Sequence, residues 1–161
     1  MTAELLSSDI ILRLVFAATA GGLVGIDREA RGKPAGFRTH ALVALGAALV
    51  TVCGIQYLRE AGADPAAITR VIQGVIAGVG FLGGGAILHS RDRDAVTGLT
   101  TAATIWIVSA LGIACGGGHW VAVTTALVLV EVILILGRRV DVLLHKKSRT
   151  PERSDEQHTT E

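Results

Sequence analysis

Five long apolar runs, separated by short polar connections, limit what this chain can fold into. At about 1.5 Å per residue, a helix built from each run approaches or exceeds the ~30 Å apolar thickness of a bilayer. No alternation of period two is visible, and an open sheet could not satisfy its backbone in lipid. We predict an all-α, polytopic bundle of five transmembrane helices, or else four helices with residues 75–88 re-entrant. The predicted spans are residues 10–26, 40–58, 68–88, 98–115 and 119–137.

Glycine content indicates how such helices pack. The chain has 20 Gly and only 4% aromatic residues, and small residues on one helix face let another backbone approach closely in lipid. Tight packing within the chain is the favoured interpretation, while homodimer contact or a helix break at residues 83–85 stays open. The pairs spaced four apart are Gly21 with Gly25, Gly74 with Gly78, and Gly80 with Gly84.

Basic residues predict the orientation. Twelve of the 15 Lys and Arg fall in the first and third connections or after the fifth run, and the side of a membrane protein rich in such residues is cytoplasmic. The N-terminus is therefore expected outside and the C-terminus inside. Residues 1–141 form the predicted transmembrane domain. Residues 142–161 are polar and without periodicity, which predicts a disordered cytoplasmic tail.

Two motif-like features have simpler explanations. Residues 78–83 match GxGxxG, but apolar spanning sequence surrounds them, so a dinucleotide site is rejected. Cys53 and Cys115 lie inside apolar runs without redox or zinc spacing, and we expect both to be small core residues. A net charge of +1 gives no reason to expect nucleic acid as a partner.

Two ionisable residues lie inside predicted spans. Arg13 lies near the start of its run and is expected to extend outward toward water. Glu131 lies deeper in the fifth run, where a short side chain must face the bundle interior, another subunit or a water-filled cavity.

Acidic and basic residues also gather on the predicted cytoplasmic side. Mg²⁺ prefers oxygen ligands, which makes the acidic residues weak candidates for a metal site. Neighbouring arginines favour ion pairs between the two connections instead, and no arrangement of residues typical of an enzyme is present. The acidic candidates are Asp27, Glu29, Asp92 and Asp94, and the basic residues are Arg28, Arg38, Arg91 and Arg93.

Threonines open the fourth run. Thr97 is placed to cap the helix, and Thr100, Thr101 and Thr104 can bond the backbone or a partner helix. The alternative is that these hydroxyls, with Asp92 and Asp94, form a cytoplasmic ion or partner site.

One arginine and four segments have a characteristic order and spacing: Arg13, GIDRE at 25–29, RGKPAGFRTHALVALG at 31–46, GVGFLGGGAIL at 78–88 and TGLTTAATIW at 97–106. Through them the chain resembles the MgtC/SapB family of membrane proteins. The resemblance covers roughly residues 4–141. Asp27 stands where Glu is more usual in the family. The chain resembles a short form, without the ACT-like domain that the better-known members carry. The signature positions that the resemblance indicates are Asp27, Arg28, Glu29, Arg38, His40, Gly80, Gly83, Thr97, Thr100 and Thr101.

This resemblance implies a multi-pass protein of the bacterial inner membrane, linked to growth in low magnesium, to stress and to host adaptation. It implies regulation of membrane partners, ATP synthase among them, with no cofactor unless Mg²⁺ itself binds. A homodimer is compatible with the glycines. The alternative function is a channel or transporter for Mg²⁺ or another cation, using Glu131 and the glycine-rich third span.

Overall fold

The computed structural model describes residues 2–88 and 97–147, with side chains described for 7–87 and 97–140. These parts contain five α-helices, one 3₁₀ turn at Pro65–Ala67 and no strand. The helices are α1 (Thr2–Glu29), α2 (Phe37–Glu60), α3 (Ile68–Leu88), α4 (Leu99–Gly116) and α5 (Trp120–Lys147).

The prediction of five spans is confirmed in this described part of the chain. Each helix is long and apolar enough to cross a membrane. The re-entrant alternative is wrong, because α3 continues unbroken through residues 83–85. The segments of spanning length are Ser7–Glu29, Phe37–Glu60, Pro65–Ile87, Leu99–Gly116 and Trp120–Val140.

Two compact units make up the chain, Met1–Val128 and Leu129–Glu161. The first contains α1 to α4 with the beginning of α5, and the second contains the rest of α5. The helix continues to Lys147, past the domain boundary predicted at residue 141, so the first residues of the predicted tail are helical. The remainder of that tail, 148–161, lies outside the described residues.

Helices α1, α2 and α4 pack together through small side chains. A Cβ added at Gly21 would lie 2.5 Å from the His40 carbonyl oxygen, and one at Gly25 would lie 2.6 Å from the Phe37 Cα. On α4, Gly112 faces the Ala44 carbonyl, and a Cβ at Gly116 would lie 2.7 Å from the Ala48 carbonyl oxygen. The glycine prediction is therefore confirmed for α1, where no side chain larger than hydrogen fits.

The same prediction is wrong for α3. Within the described residues, a Cβ added at Gly74, Gly78, Gly80 or Gly84 would have no neighbour within 4 Å. Only Gly83 faces a neighbouring helix, where its Cβ would lie 3.6 Å from that of Ala102. Helical periodicity puts Phe81, which is 84% exposed, on the same outer face as Gly74 and Gly78.

Helix α4 begins at a glycine rather than at a threonine. Gly98 occupies the N-cap with φ +90°, and no side chain caps the helix there, so the prediction that Thr97 caps α4 is wrong. A Cβ at Gly98 would also lie 2.5 Å from the Ala86 carbonyl oxygen. Positive φ and close approach both favour glycine at this position.

Arg13 fixes the opposite end of α4. Its Nη1 donates to the Gly116 carbonyl at 2.7 Å, and its Nη2 lies 2.8 Å from the Asp9 carboxylate. The guanidinium is thus anchored to protein, rather than extending into water as predicted. A cation at the last carbonyls of a helix also complements the helix dipole. Nearby, Phe16 and Trp120 pack edge to face with ring centroids 5.5 Å apart.

The cysteine prediction holds for one residue. Cys115 is buried in α4, whereas Cys53 is exposed on α2. Large apolar side chains are exposed along all five helices, as lipid contact requires.

Candidate functional site

Three helix ends meet around a buried polar network. The last turn of α1 supplies Arg28, the first turn of α2 supplies His40, and the first turns of α4 supply Thr101 and Thr104. All four residues are buried, Arg28 to 3% exposure and His40 completely. Residues separated by up to 73 positions are joined here, so the network ties the three helices together.

Arg28 bonds across to α4. Its Nη2 donates to the Thr101 hydroxyl at 2.7 Å. The Nε of Arg28 and the Oδ2 of its neighbour Asp27 are also buried, and neither has a hydrogen-bond partner among the described residues. Burying such atoms without partners costs free energy, and in membrane proteins charged interior groups mark functional positions. Arg28 is therefore the central residue of the candidate site.

His40 connects the hairpin to α4. Its Nδ1 lies 2.9 Å from the Gly36 carbonyl oxygen, and its Nε2 lies 3.0 Å from the Thr104 hydroxyl. A carbonyl can only accept, so Nδ1 carries a proton and donates it.

The Thr104 hydroxyl has one proton and two possible acceptors. It lies 2.9 Å from the Thr101 carbonyl as well as near His40 Nε2. Donation to Nε2 suits a neutral imidazole, whereas donation to the carbonyl suits an imidazole that donates from both nitrogens. The Thr104 hydroxyl can therefore rotate to donate to either the Thr101 carbonyl or His40 Nε2, and neither choice requires a helix to move.

The connection from α1 to α2 is a closed hairpin. Lys33 N donates to the Arg28 carbonyl at 3.1 Å, and Gly32 N donates to the Glu29 carbonyl at 2.9 Å. With Gly32 at φ +62°, this is the Schellman arrangement that ends a helix.

Glu29 then starts the next helix. Its Oε2 accepts from Phe37 N at 2.9 Å, so a carboxylate from α1 caps α2, where the helix dipole favours negative charge. Gly36 allows this contact, since a Cβ there would lie 2.7 Å from that oxygen.

Ion pairing occurs within this hairpin. Asp27 pairs with Arg31, four residues later on the same helical end. The predicted pairing between the first and third connections cannot be followed, because Asp92, Asp94, Arg91 and Arg93 lie outside the described residues. In the part of the chain that is described, no group of three or more His, Cys, Asp or Glu side chains is placed to hold a metal ion.

Other predicted site residues lie away from the network. Arg38 is exposed on the first turn of α2, Thr100 is exposed on α4, and Gly80 is exposed on α3. Thr97 precedes α4 and is half-buried. Glu131 is half-buried on α5 and belongs to the second unit.

Sequence reasoning missed several contacts, among them the bond from Arg28 to Thr101. It did not foresee that Arg31 pairs with Asp27, although a spacing of four residues at the end of α1 was a signal. It named Thr104 as able to bond a partner helix, but not His40 as that partner. It passed over Gly112 and Gly116, which are also four apart.

Comparison with known proteins identifies the family of this chain. The model of the MgtC family matches residues 14–143. The chain belongs to the MgtC family. The hairpin and the start of α4, which carry the buried network, both lie within the matched residues.

Three MgtC-family relatives show how far the similarity extends. Protein SrpB of Synechococcus elongatus is 47% identical over 115 residues, which cover 67% of this chain and 63% of SrpB. YhiD of Escherichia coli strain K12, named as a candidate magnesium transporter, is 39% identical over 121 residues, 71% of this chain and 54% of YhiD. Protein MgtC of Salmonella typhimurium strain LT2 is 35% identical over 138 residues, 86% of this chain and 56% of MgtC.

The match is thus to a part of each relative, since this chain spans between half and two thirds of their length. No solved structure matches the chain. Together with the five apolar helices, family membership establishes a multi-pass membrane protein.

Proposed function

We propose that this protein acts in magnesium homeostasis in the bacterial inner membrane, and that it supports adaptation to low magnesium or stress by regulating membrane partners. The relative YhiD, which is named as a candidate magnesium transporter, supports the link to magnesium. ATP synthase is the first partner to test, and the reason for this choice is the family resemblance alone.

One observation carries the regulatory part of the proposal. Three signature residues hold the hairpin between α1 and α2: the buried Arg28 and His40 bond α4, and the exposed Glu29 caps α2. The hairpin is therefore a fixed surface, and it presents exposed residues to the aqueous phase at the membrane. These are Lys33, Pro34, Phe37, Arg38 and Thr39. An exposed aromatic ring among cations suits docking to a protein partner.

Growth of a bacterial strain lacking its own copy tests this proposal. The wild-type chain should restore growth in low magnesium, and Arg38→Glu should remove that growth while leaving protein level and thermal stability unchanged. Arg70→Glu is the matched control, because Arg70 is also exposed but lies at the opposite end of the bundle. Wild-type growth of the Arg38→Glu strain would contradict a docking role for the hairpin.

Affinity purification from magnesium-starved membranes in mild detergent identifies the partner. We expect a membrane complex to be recovered with wild type and with Arg70→Glu, and to be lost with Arg38→Glu. Equal recovery with all three variants would show that the partner binds elsewhere.

Cation transport is the second candidate function. Glu131 is half-buried near the middle of the span Trp120–Val140, and acids at membrane depth often mark ion pathways. Uptake of Mg²⁺ or a radioactive surrogate into proteoliposomes distinguishes the two candidates. Uptake that Glu131→Gln abolishes would favour transport, whereas absence of uptake by a protein that still restores growth would favour regulation.

A further inference from the structure

A cavity of about 380 Å³ lies at the end of the first unit opposite the Arg28 network. The last turns of α2 and α4, the first turns of α3 and the 3₁₀ turn surround it. The volume lies within the range of sites that bind small molecules.

The lining divides into an apolar interior and a polar rim. Four isoleucines, Ile55, Ile68, Ile72 and Ile113, are among the apolar residues that line the interior. Arg59 and His119 lie on the exposed rim, and none of the described residues that line the cavity is acidic. The nearby Asp64 carboxylate accepts from Ala66 N at 2.9 Å and starts the 3₁₀ turn. The cavity thus combines an apolar surface with donors for a single anionic group.

The depth of the cavity in the membrane limits which class of ligand it can bind. Arg59 is the next-to-last residue of the span Phe37–Glu60, so its guanidinium lies at the depth of the lipid headgroups. Ile55 and Ile72 lie at least one helical turn further into their spans, toward the depth of acyl chains. An apolar space that stays empty loses dispersion contacts with its lining, and acyl chains are the most abundant apolar groups at that depth.

We propose that this cavity binds an anionic phospholipid, with an acyl chain against the isoleucines and the phosphate on Arg59 and His119. Guanidinium groups form charge-assisted hydrogen bonds with phosphate. The site involves neither the hairpin nor Glu131, so it is independent of the proposed function.

Lipid binding to the full-length, delipidated protein in detergent tests the headgroup. Native mass spectrometry would titrate phosphatidylglycerol and phosphatidylcholine carrying identical acyl chains. We expect tighter binding of phosphatidylglycerol, and a loss on the order of tenfold in Arg59→Gln, as removal of a charge-assisted bond implies. Arg70→Gln is the matched control, since Arg70 is exposed at the same end but does not line the cavity. Equal binding of both lipids, or equal losses in both variants, would overturn the proposal.

Filling the cavity tests the acyl chain. Ile72→Phe should weaken phosphatidylglycerol binding severalfold, whereas Val50→Phe, on the exposed face of α2, should not. Retained thermal unfolding of each variant shows that it is folded. Glycerophosphoglycerol is the phosphodiester headgroup of phosphatidylglycerol without acyl chains, and it carries the same single negative charge. Competition by it at the lipid's own concentration would identify a site for the free headgroup and overturn the lipid proposal. Unchanged binding in Ile72→Phe would do the same.

Discussion

At the scale of single residues, the buried polar network determines how this bundle is held together. A charged or polar side chain inside a membrane protein costs free energy unless it has partners. Arg28 finds one in the Thr101 hydroxyl, and His40 finds two in the Gly36 carbonyl and the Thr104 hydroxyl. The signature positions that carry these groups therefore have a structural reason to be polar, independent of any ligand.

Thr101→Val tests the importance of the Arg28 bond. The substitution keeps the shape of the side chain and removes the acceptor at 2.7 Å from Arg28 Nη2. Because the guanidinium stays buried, we expect the protein to lose about 1–3 kcal/mol of stability. Thr100→Val changes the exposed neighbour and should alter stability by less than about 0.5 kcal/mol. Thermal unfolding in one detergent compares the two, and equal melting temperatures would contradict the assignment.

The contact between His40 and Thr104 can be measured by a double-mutant cycle. His40→Leu and Thr104→Val each remove one side of a 3.0 Å contact, so their effects on the free energy of unfolding should not add. Hydrogen bonds between membrane helices average about 0.6 kcal/mol in such cycles, and we expect a coupling of about 0.5–1.5 kcal/mol. Strict additivity would show that the two side chains do not interact.

At the scale of helices, glycine spacing predicted which helix faces carry only small side chains, but not which neighbouring helix packs against each face. Gly21 and Gly25 meet α2, while Gly74 and Gly78 have the same spacing and face no neighbour among the described residues. Spacing of four defines a face because of the helical period. Which face turns inward depends on the rotation of each helix in the bundle, and local sequence does not determine that rotation.

Alanine substitutions separate the two kinds of glycine. Gly116→Ala should destabilise the protein by about 1–3 kcal/mol, because its Cβ would lie 2.7 Å from the Ala48 carbonyl oxygen. Gly74→Ala should be neutral or slightly stabilising, since alanine favours helix more than glycine does. Thermal unfolding of purified protein measures both. Strong destabilisation by Gly74→Ala would instead show that a second copy covers this face, which chemical cross-linking would then detect.

The spans were the most predictable part of the fold, and the site was only partly predictable. Apolar length alone fixed the five spans, because few other structures satisfy a backbone in lipid. The threonines of α4 were foreseen as partners for another helix. That Thr101 bonds Arg28 and Thr104 bonds His40 depends on contacts across 73 and 64 positions, and no local pattern carries that information.

At the scale of the whole molecule, the distribution of basic residues predicts the orientation. The hairpin with Arg28, Arg31, Lys33 and Arg38 should lie in the cytoplasm, and the turn after α2 should lie outside. These two segments lie at opposite ends of the first unit. The exposed residues of the hairpin and the cavity beside Arg59 would then lie on opposite sides of the membrane.

Cysteine labelling in intact cells tests this orientation. Cys53 is exposed on α2 and is first replaced by Ala, whereas Cys115 is buried and can stay. Lys33→Cys and Ala63→Cys then place one exposed thiol at each end of the unit. With the outer membrane permeabilised, an impermeant maleimide should label Ala63→Cys. Lys33→Cys should react only after the inner membrane is opened, because its thiol faces the cytoplasm. The reverse pattern would place the hairpin outside, and a regulatory partner would then have to dock from the periplasmic side.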